Sequence, residues 1–554
     1  MFSYLATTAK STYAQITLNR VTIAFFLFSF LLSFVQGLLQ IFTYSLDSQF
    51  SGIVTAIVAS AEIPPKNITV LEGRSEHYTL FMCDDIPHGQ TPFPCSPIFV
   101  SGQSYAEVNA TQNAILSQEK SNSVAQDFSN GFTVTTYRDA SGVANGVSLS
   151  SSSADPIMLS KQCTQTLVYP EQLLANDARE DITFVFLQIW LFGVSLFAIA
   201  KNSVPHLLTA LGTRLLIVAW SSYAALYRNY DRQTFFQQIL ADPGTPCGVQ
   251  LFPQYFNMRI AYGLADIVLS ITGFLFSCLF SWYLLKLYNA ASFKTVGAPT
   301  HINHIYRWFS AVQACLQLEV FMLMASAGLW TDTLSGTAIK ELSQHTTVYD
   351  GLIIATSLLV LPWIALGWYS VRKEHKGMMI GFLSIALFLI GGWSIMFYSI
   401  VYRWSFITWP YLACFTVVSF ILIIASAILG AICWRHFGEG LAEYLQAESA
   451  LADLGFAPEI FNNDNKDSDP DLEKGFYTYE EIDLPLPTFH AASRPPTPTK
   501  SSGLPVPAHS HSRSPSLTSS SQSHTPSTNV GSMTSLTPLR GPPPAYDRNT
   551  IQPF

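Results

Sequence analysis

VTIAFFLFSFLLSFVQGLLQIFTY, residues Val21–Tyr44, contains no charged side chain. A helix rises 1.5 Å per residue, so about 20 apolar residues cross a bilayer core of about 30 Å. The stretch therefore predicts a transmembrane helix. It is longer than the roughly 7–15-residue apolar centre of a signal peptide. We read it as an uncleaved signal anchor, with a cleaved signal as the alternative. Either reading sends the following residues across the membrane.

Seven more apolar segments lie between Ile182 and Trp434, at about 182–200, 204–227, 260–285, 308–330, 351–371, 378–401 and 407–434. The whole chain, 554 residues, is 49% hydrophobic and only 12% charged, about half the ~25% usual for soluble chains. The expected fold is an α-helical polytopic membrane protein of about eight transmembrane helices, a signal anchor plus a seven-helix bundle. A small β-rich exoplasmic domain and a disordered C-terminal tail complete it. The divisions are a cytoplasmic N-tail (1–20), the first helix (21–44), a glycosylated exoplasmic domain (45–180), the bundle (181–434), an amphipathic cytoplasmic helix (435–460) and the tail (461–554). Net charge is −8, which offers no basic field to nucleic acid.

Basic residues set the orientation. With both termini cytoplasmic, inner flanks carry Lys10, Arg20, Lys201, Lys286, Lys294, Arg307, Arg372, Lys373, Lys376 and Arg435. Short outer loops carry Arg228, Arg232, Arg259, Lys340 and Arg403. The membrane is either the plasma membrane or an endomembrane.

Residues 45–180 contain short β-type runs, HYTLFMC (77–83), PIFVSG (97–102), GFTVTTY (131–137) and TQTLVY (164–169), punctuated by Gly, Pro, Ser and Asn. Two glycosylation sequons, at Asn67 and Asn109, fall in this region. Cys83, Cys95, Cys163 and Cys247 face the oxidising side in this topology. Four cysteines allow three pairings. The short Cys83–Cys95 loop favours that bridge and leaves Cys163 to tether Cys247; free thiols are the alternative.

Three ionisable residues, Arg214, Asp266 and Glu319, interrupt the apolar segments near mid-depth. A lone charge there costs about 2.5–3.5 kcal/mol on insertion scales. We expect Arg214 to pair with Glu319, Asp266 or both, as a polar switch, a ligand or proton site, or a packing tie. Gly391-Gly392 would let helices approach closely. Pro362 would kink its helix.

Pro542-Pro543-Pro544-Ala545-Tyr546 contains PPxY, with Pro543, Pro544 and Tyr546 as its key positions. It resembles the ligand of WW domains, in which a polyproline II segment enters an aromatic groove. That resemblance implies recruitment of a WW-containing HECT ubiquitin ligase. Tyr479 and Ile482 fit the YxxΦ sorting pattern. Thr497, Ser514, Thr525 and Thr537 each precede proline and could be phosphorylated.

The motif set of hydrolases, P-loops and zincins is missing from the sequence, and His301 and His304 stand without partner histidine clusters. The expectation is a non-enzyme without cofactor or metal. The order of exoplasmic domain, seven-helix array and long tail resembles seven-transmembrane receptors and the fungal ambient-pH sensors that signal to arrestin-like adaptors. This resemblance implies a receptor or sensor, with an arrestin-like or endocytic adaptor as partner. A trafficking adaptor or membrane-organising protein, and a transporter or channel using the intramembrane charges, are the alternatives.

Overall fold

The computed structural model describes residues 10, 12–74, 77–88, 90–118, 123–127, 132–151, 154–296, 300–342 and 346–453. Tyr479, Ile482, Thr497, Ser514, Thr525, Thr537 and the PPxY residues lie outside them, as does the 461–554 tail. Eight described helices or helical runs are long and apolar enough to cross a membrane.

Helix α1 (Arg20–Ser60) starts where Asn19 accepts a hydrogen bond from the Val21 amide (3.2 Å) and Thr22 closes a capping box. At 41 residues it is about 60 Å long. It does not stop at Tyr44. Nothing in the following SLDSQFSGIVTAIVAS breaks a helix, and its Leu46, Val54, Ile57 and Val58 find apolar neighbours.

Seven short strands and one helix follow. Strands β1 (Ile68–Arg74), β2 (His77–Cys83) and β3 (Cys95–Val100) form one antiparallel sheet in that order. After α2 (Ala106–Gln118), strands β4 (Ser123–Asp127), β5 (Phe132–Arg138), β6 (Ala144–Ser151) and β7 (Ala154–Ser160) form a second. The alternation of HYTLFMC buries Tyr78, Leu80 and Met82, the period expected of a half-buried strand. TQTLVY, expected as a strand, is helical. Ser160 caps α3 (Lys161–Thr166) by accepting from the Cys163 amide (3.2 Å), and α4 (Val168–Ala200) follows after a one-residue joint. The chain's second long helix, the first of the bundle, thus begins well before the expected 182.

The β5–β6 turn is organised by Asp139, whose carboxylate accepts from the Ser141 amide (2.9 Å), the Val143 amide (3.0 Å) and the Ser141 hydroxyl. The Ser141 hydroxyl, then the Val143 amide, hold this carboxyl below its ordinary 3.8. A depressed carboxylate stabilises the fold above its unfolded value, and the gain is lost as pH falls through the folded value. Amide protection of Ser141 and Val143, corrected for intrinsic exchange, should therefore drop between pH 5 and pH 3. Unchanged protection would contradict the assignment.

Helix α5 (Val204–Tyr223) continues through a π-helical turn (Ala224–Arg228), α6 (Asn229–Phe236) and a second π turn (Gln237–Ala241). Then come α7 (Pro253–Val296), α8 (Thr300–Gly336), α9 (Ile339–Leu342), α10 (Thr346–Arg372), α11 (Lys376–Tyr398), α12 (Ile400–Thr408), α13 (Pro410–Arg435) and α14 (Leu441–Asp453). Helix α8 packs against α4, α5, α10 and α13, while α1 packs on α4 and α7. Pro362 lies inside an unbroken α10. Of the expected glycine pair, Gly392 faces Leu352 of α10, where a Cβ would make an ordinary contact at 3.6 Å, but tighter helix approaches fall at other glycines. A Cβ on Gly391 would meet nothing within 4 Å, whereas on Gly367 or Gly430 it would meet the Phe382 ring at 2.6 and 2.9 Å. Phe382 is wedged there, stacked on Trp363 at 5.2 Å.

One apolar core unites the β-rich domain with the helix ends beneath it. Leu80, Phe99, Val147 and Leu159 from the sheets pack together with Leu46, Ile57, Leu174, Leu240 and Phe256 from the helices. The disulfide Cys163–Cys247 lies in this core, and Cys83–Cys95 joins β2 to β3. Tyr78 adds a polar tie, its hydroxyl donating to the Gln238 carbonyl (2.8 Å). Burial, then Asp242, push this phenol up to about 12, so it stays a neutral donor.

Candidate functional site

Arg214, Asp266 and Glu319 do not converge. Arg214 forms no ion pair with either carboxyl among the described residues. Its guanidinium lies 5.9 Å from the Phe28 ring centroid, and one terminal nitrogen is buried without a partner. Asp266 accepts from Gln40 (3.1 Å) and from Ser221 (2.6 Å). Ser221 is two helical turns beyond Arg214 on α5, so Asp266 sits about 10 Å away along that axis. Glu319 is at the level of Arg214, since Thr209 of α5 meets Ala314 and Gln317 of α8. It faces the other way, accepting from Ser419 of α13 (2.6 Å). Depth alone suggested a cluster; helix faces separate its members.

The buried charges gather elsewhere, at the end of the helices nearest the β-rich domain. On α4, Asp177, Glu180 and Asp181 stand at i, i+3 and i+4, one face of a helix. Arg228 and Arg232, i and i+4, come from the π turn and α6; Arg259 comes from α7 and Asp47 from α1. Arg228 grips Glu180 with both terminal nitrogens (2.6 and 2.9 Å) and lies over the Trp220 ring at 5.3 Å. The Trp220 indole donates to the same carboxylate (2.7 Å). Arg232 pairs with Asp177. One terminal nitrogen of Arg259 meets both Asp47 and Asp181 (the latter at 3.1 Å), and the other lies 4.0 Å from Asp177.

Six of these seven residues are buried, and Arg232 is nearly so. Each buried ion costs several kcal/mol of hydration, recovered only through tight pairing. A bidentate guanidinium–carboxylate fork at Arg228–Glu180 and charge-assisted hydrogen bonds from Arg232 and Arg259 supply that pairing here. Four carboxyls face three guanidiniums, and one oxygen each of Asp47 and Asp177 lacks a protein partner. Beside the network is a polar cavity of about 50 Å³, lined by Thr43, Glu180, Asp181, Ser221, Asn229 and Asp266 among others. It has space for on the order of three waters.

Reading Arg228, Arg232 and Arg259 as outer-loop charges was wrong. All three are helical, because the helical run that starts with α5 continues through the π turn and α6 past residue 227, and α7 begins before residue 260. The signal was present in the helical spacing of the acidic triplet and of Arg228 and Arg232. The π turn, which adds a residue to the helical turn just before Arg228, had no sequence signature.

Asn109 is also not a free sequon. Its side chain is buried; the amide nitrogen donates to the Thr245 carbonyl (2.9 Å) and the Pro246 carbonyl, and the oxygen accepts from Ser160 (3.1 Å). A glycan on that nitrogen would displace the loop before α7. Asn67 is half-buried, with its amide 3.2 Å from the Met82 sulfur. His301 and His436 each contact Glu439, at 2.9 and 3.1 Å. No family model, curated protein or solved structure matches this chain.

Proposed function

We propose that the chain is a multi-pass membrane receptor or sensor with both termini cytoplasmic. Its exoplasmic domain acts on the bundle through the buried ion network. The observation that carries this reading is the shared core. Sheet residues and the ends of α1, α4 and α7 pack as one body, so a change in the domain moves those helices. The 50 Å³ cavity is far below the roughly 300–1,000 Å³ of ordinary ligand sites, which favours coupling over passage of a solute. In this reading Asn67 carries the glycan, and the PPxY tail recruits a WW-domain HECT-type ligase with an arrestin-like or endocytic adaptor.

Glu180→Gln tests the coupling. It keeps the shape while weakening the Arg228 fork. At matched surface amount, tail ubiquitination that depends on Tyr546 should change by about threefold or more, together with deuterium uptake at the cytoplasmic helix ends. Identical values for variant and parent would overturn the sensor reading. Tyr546→Ala separates client from adaptor: loss of ubiquitin from other membrane proteins, rather than from this one, would favour the adaptor.

A further inference from the structure

We infer that the hollow between the second π turn and the start of α7 binds a small, uncharged molecule with an apolar two-ring or similar body and one hydrogen-bonding end. The hollow holds about 290 Å³ and is open to solvent at its rim. Phe236, Leu240, Phe252 and Phe256 form its buried floor, with Phe236 edge-on to Phe252 (5.4 Å) and to Phe256 (5.1 Å). Gln237, Gln250 and Asn257 are exposed at its rim.

Three features select the occupant. An apolar cavity of about 150 Å³ accepts benzene, so this one has space for roughly twice that body. No ionisable residue is among the described side chains lining it, so a charged group that settles onto the apolar floor would lose hydration without an ion-pair partner. The rim amides donate and accept hydrogen bonds, which suits a hydroxyl, carbonyl or amide end.

The site is also held open in advance. Its loop is fixed by the Cys163–Cys247 bridge, by the Val249 amide bonding the Leu240 carbonyl (3.1 Å), and by Asn109 gripping Thr245 and Pro246. A preformed wall spares the ligand the cost of ordering it. Phe236 follows Arg232 by four residues and Phe256 precedes Arg259 by three, so an occupant presses on two helices whose next turns both reach Asp177. Binding itself does not depend on the receptor reading, and it is measured separately from signalling.

The test uses the full chain in lipid nanodiscs and the fluorescence of 2-naphthol, with 2-naphthoate as a charged analogue on the same ring system. Saturable 2-naphthol binding is expected, at least about tenfold tighter than 2-naphthoate. Gln250→Trp, an exposed rim position, should cap the hollow and abolish saturation. Leu251→Trp, a partly buried wall position, provides a second block. A titration that stays linear, or is the same in both variants, would show partition into the bilayer alone and overturn the inference. So would 2-naphthoate binding as tightly as 2-naphthol. Either failure leaves the Glu180→Gln result standing on its own.

Discussion

Arg259→Leu is expected to prevent accumulation of the folded chain. The substitution leaves Asp47 and Asp181 without their guanidinium partner and Asp177 with Arg232 as its remaining ion pair. Removing one partner of a buried ion pair costs about 3–5 kcal/mol, because the remaining charge has no partner or solvent. A whole domain usually has only about 5–15 kcal/mol to lose. Arg259→Lys should fall between, since an ammonium keeps the charge but cannot span three carboxyls as the planar fork does. Arg259→Leu with Asp47→Leu should recover part of the loss. Monodisperse yield in detergent and the midpoint of thermal inactivation measure all three. A single Arg259→Leu variant that matches the parent in both would refute a structural debt at this network.

The second large effect is expected from the disulfides, and it should be unequal. Cys163 and Cys247 are 84 residues apart, Cys83 and Cys95 only 12. Loop-closure entropy assigns the long bridge about 4.5 kcal/mol and the short one about 3 kcal/mol. The long bridge also lies in the shared core and fixes the wall of the hollow, so serine replacement there removes packing as well. Cys163→Ser with Cys247→Ser should lower the midpoint of thermal inactivation by on the order of 10 °C, and more than Cys83→Ser with Cys95→Ser. It should also weaken 2-naphthol binding. Equal shifts for the two pairs would show that chain entropy does not govern this clamp.

Much of the fold was legible because long apolar runs leave few alternatives. Eight runs in the sequence correspond to eight long apolar helices, and β2 follows HYTLFMC residue for residue. Helix ends were less legible. The sequence of α1 beyond Tyr44 turns polar without any breaker, and polarity was read as an ending. The same habit hid the ion network: Asp47, Asp177 and Arg259 lie just past apolar runs, where charges are ordinarily solvated. Only the three-dimensional convergence of α1, α4, α6 and α7 removes them from water. Arg214, Asp266 and Glu319 were misjudged for the opposite reason. Each stands out within an apolar run, but position along a helix does not give its facing, and their real partners are Phe28, Gln40 with Ser221, and Ser419. TQTLVY failed through its neighbour, because the helix cap at Ser160 outweighs the β preference of the Thr and Val that follow.

The length of α1 has a mechanical meaning. Asp47 lies about 40 Å along this roughly 60 Å rod from its start, so a tilt of about five degrees about the joint there carries the far end sideways by about 3.5 Å. Small angular play at the domain end thus becomes a sideways displacement of a few ångströms at the far end. Such a lever amplifies displacement without storing strain anywhere along its shaft. Its sensitivity is set by the stiffness of the joint around Asp47, so the charge pairs there determine the gain as well as the stability.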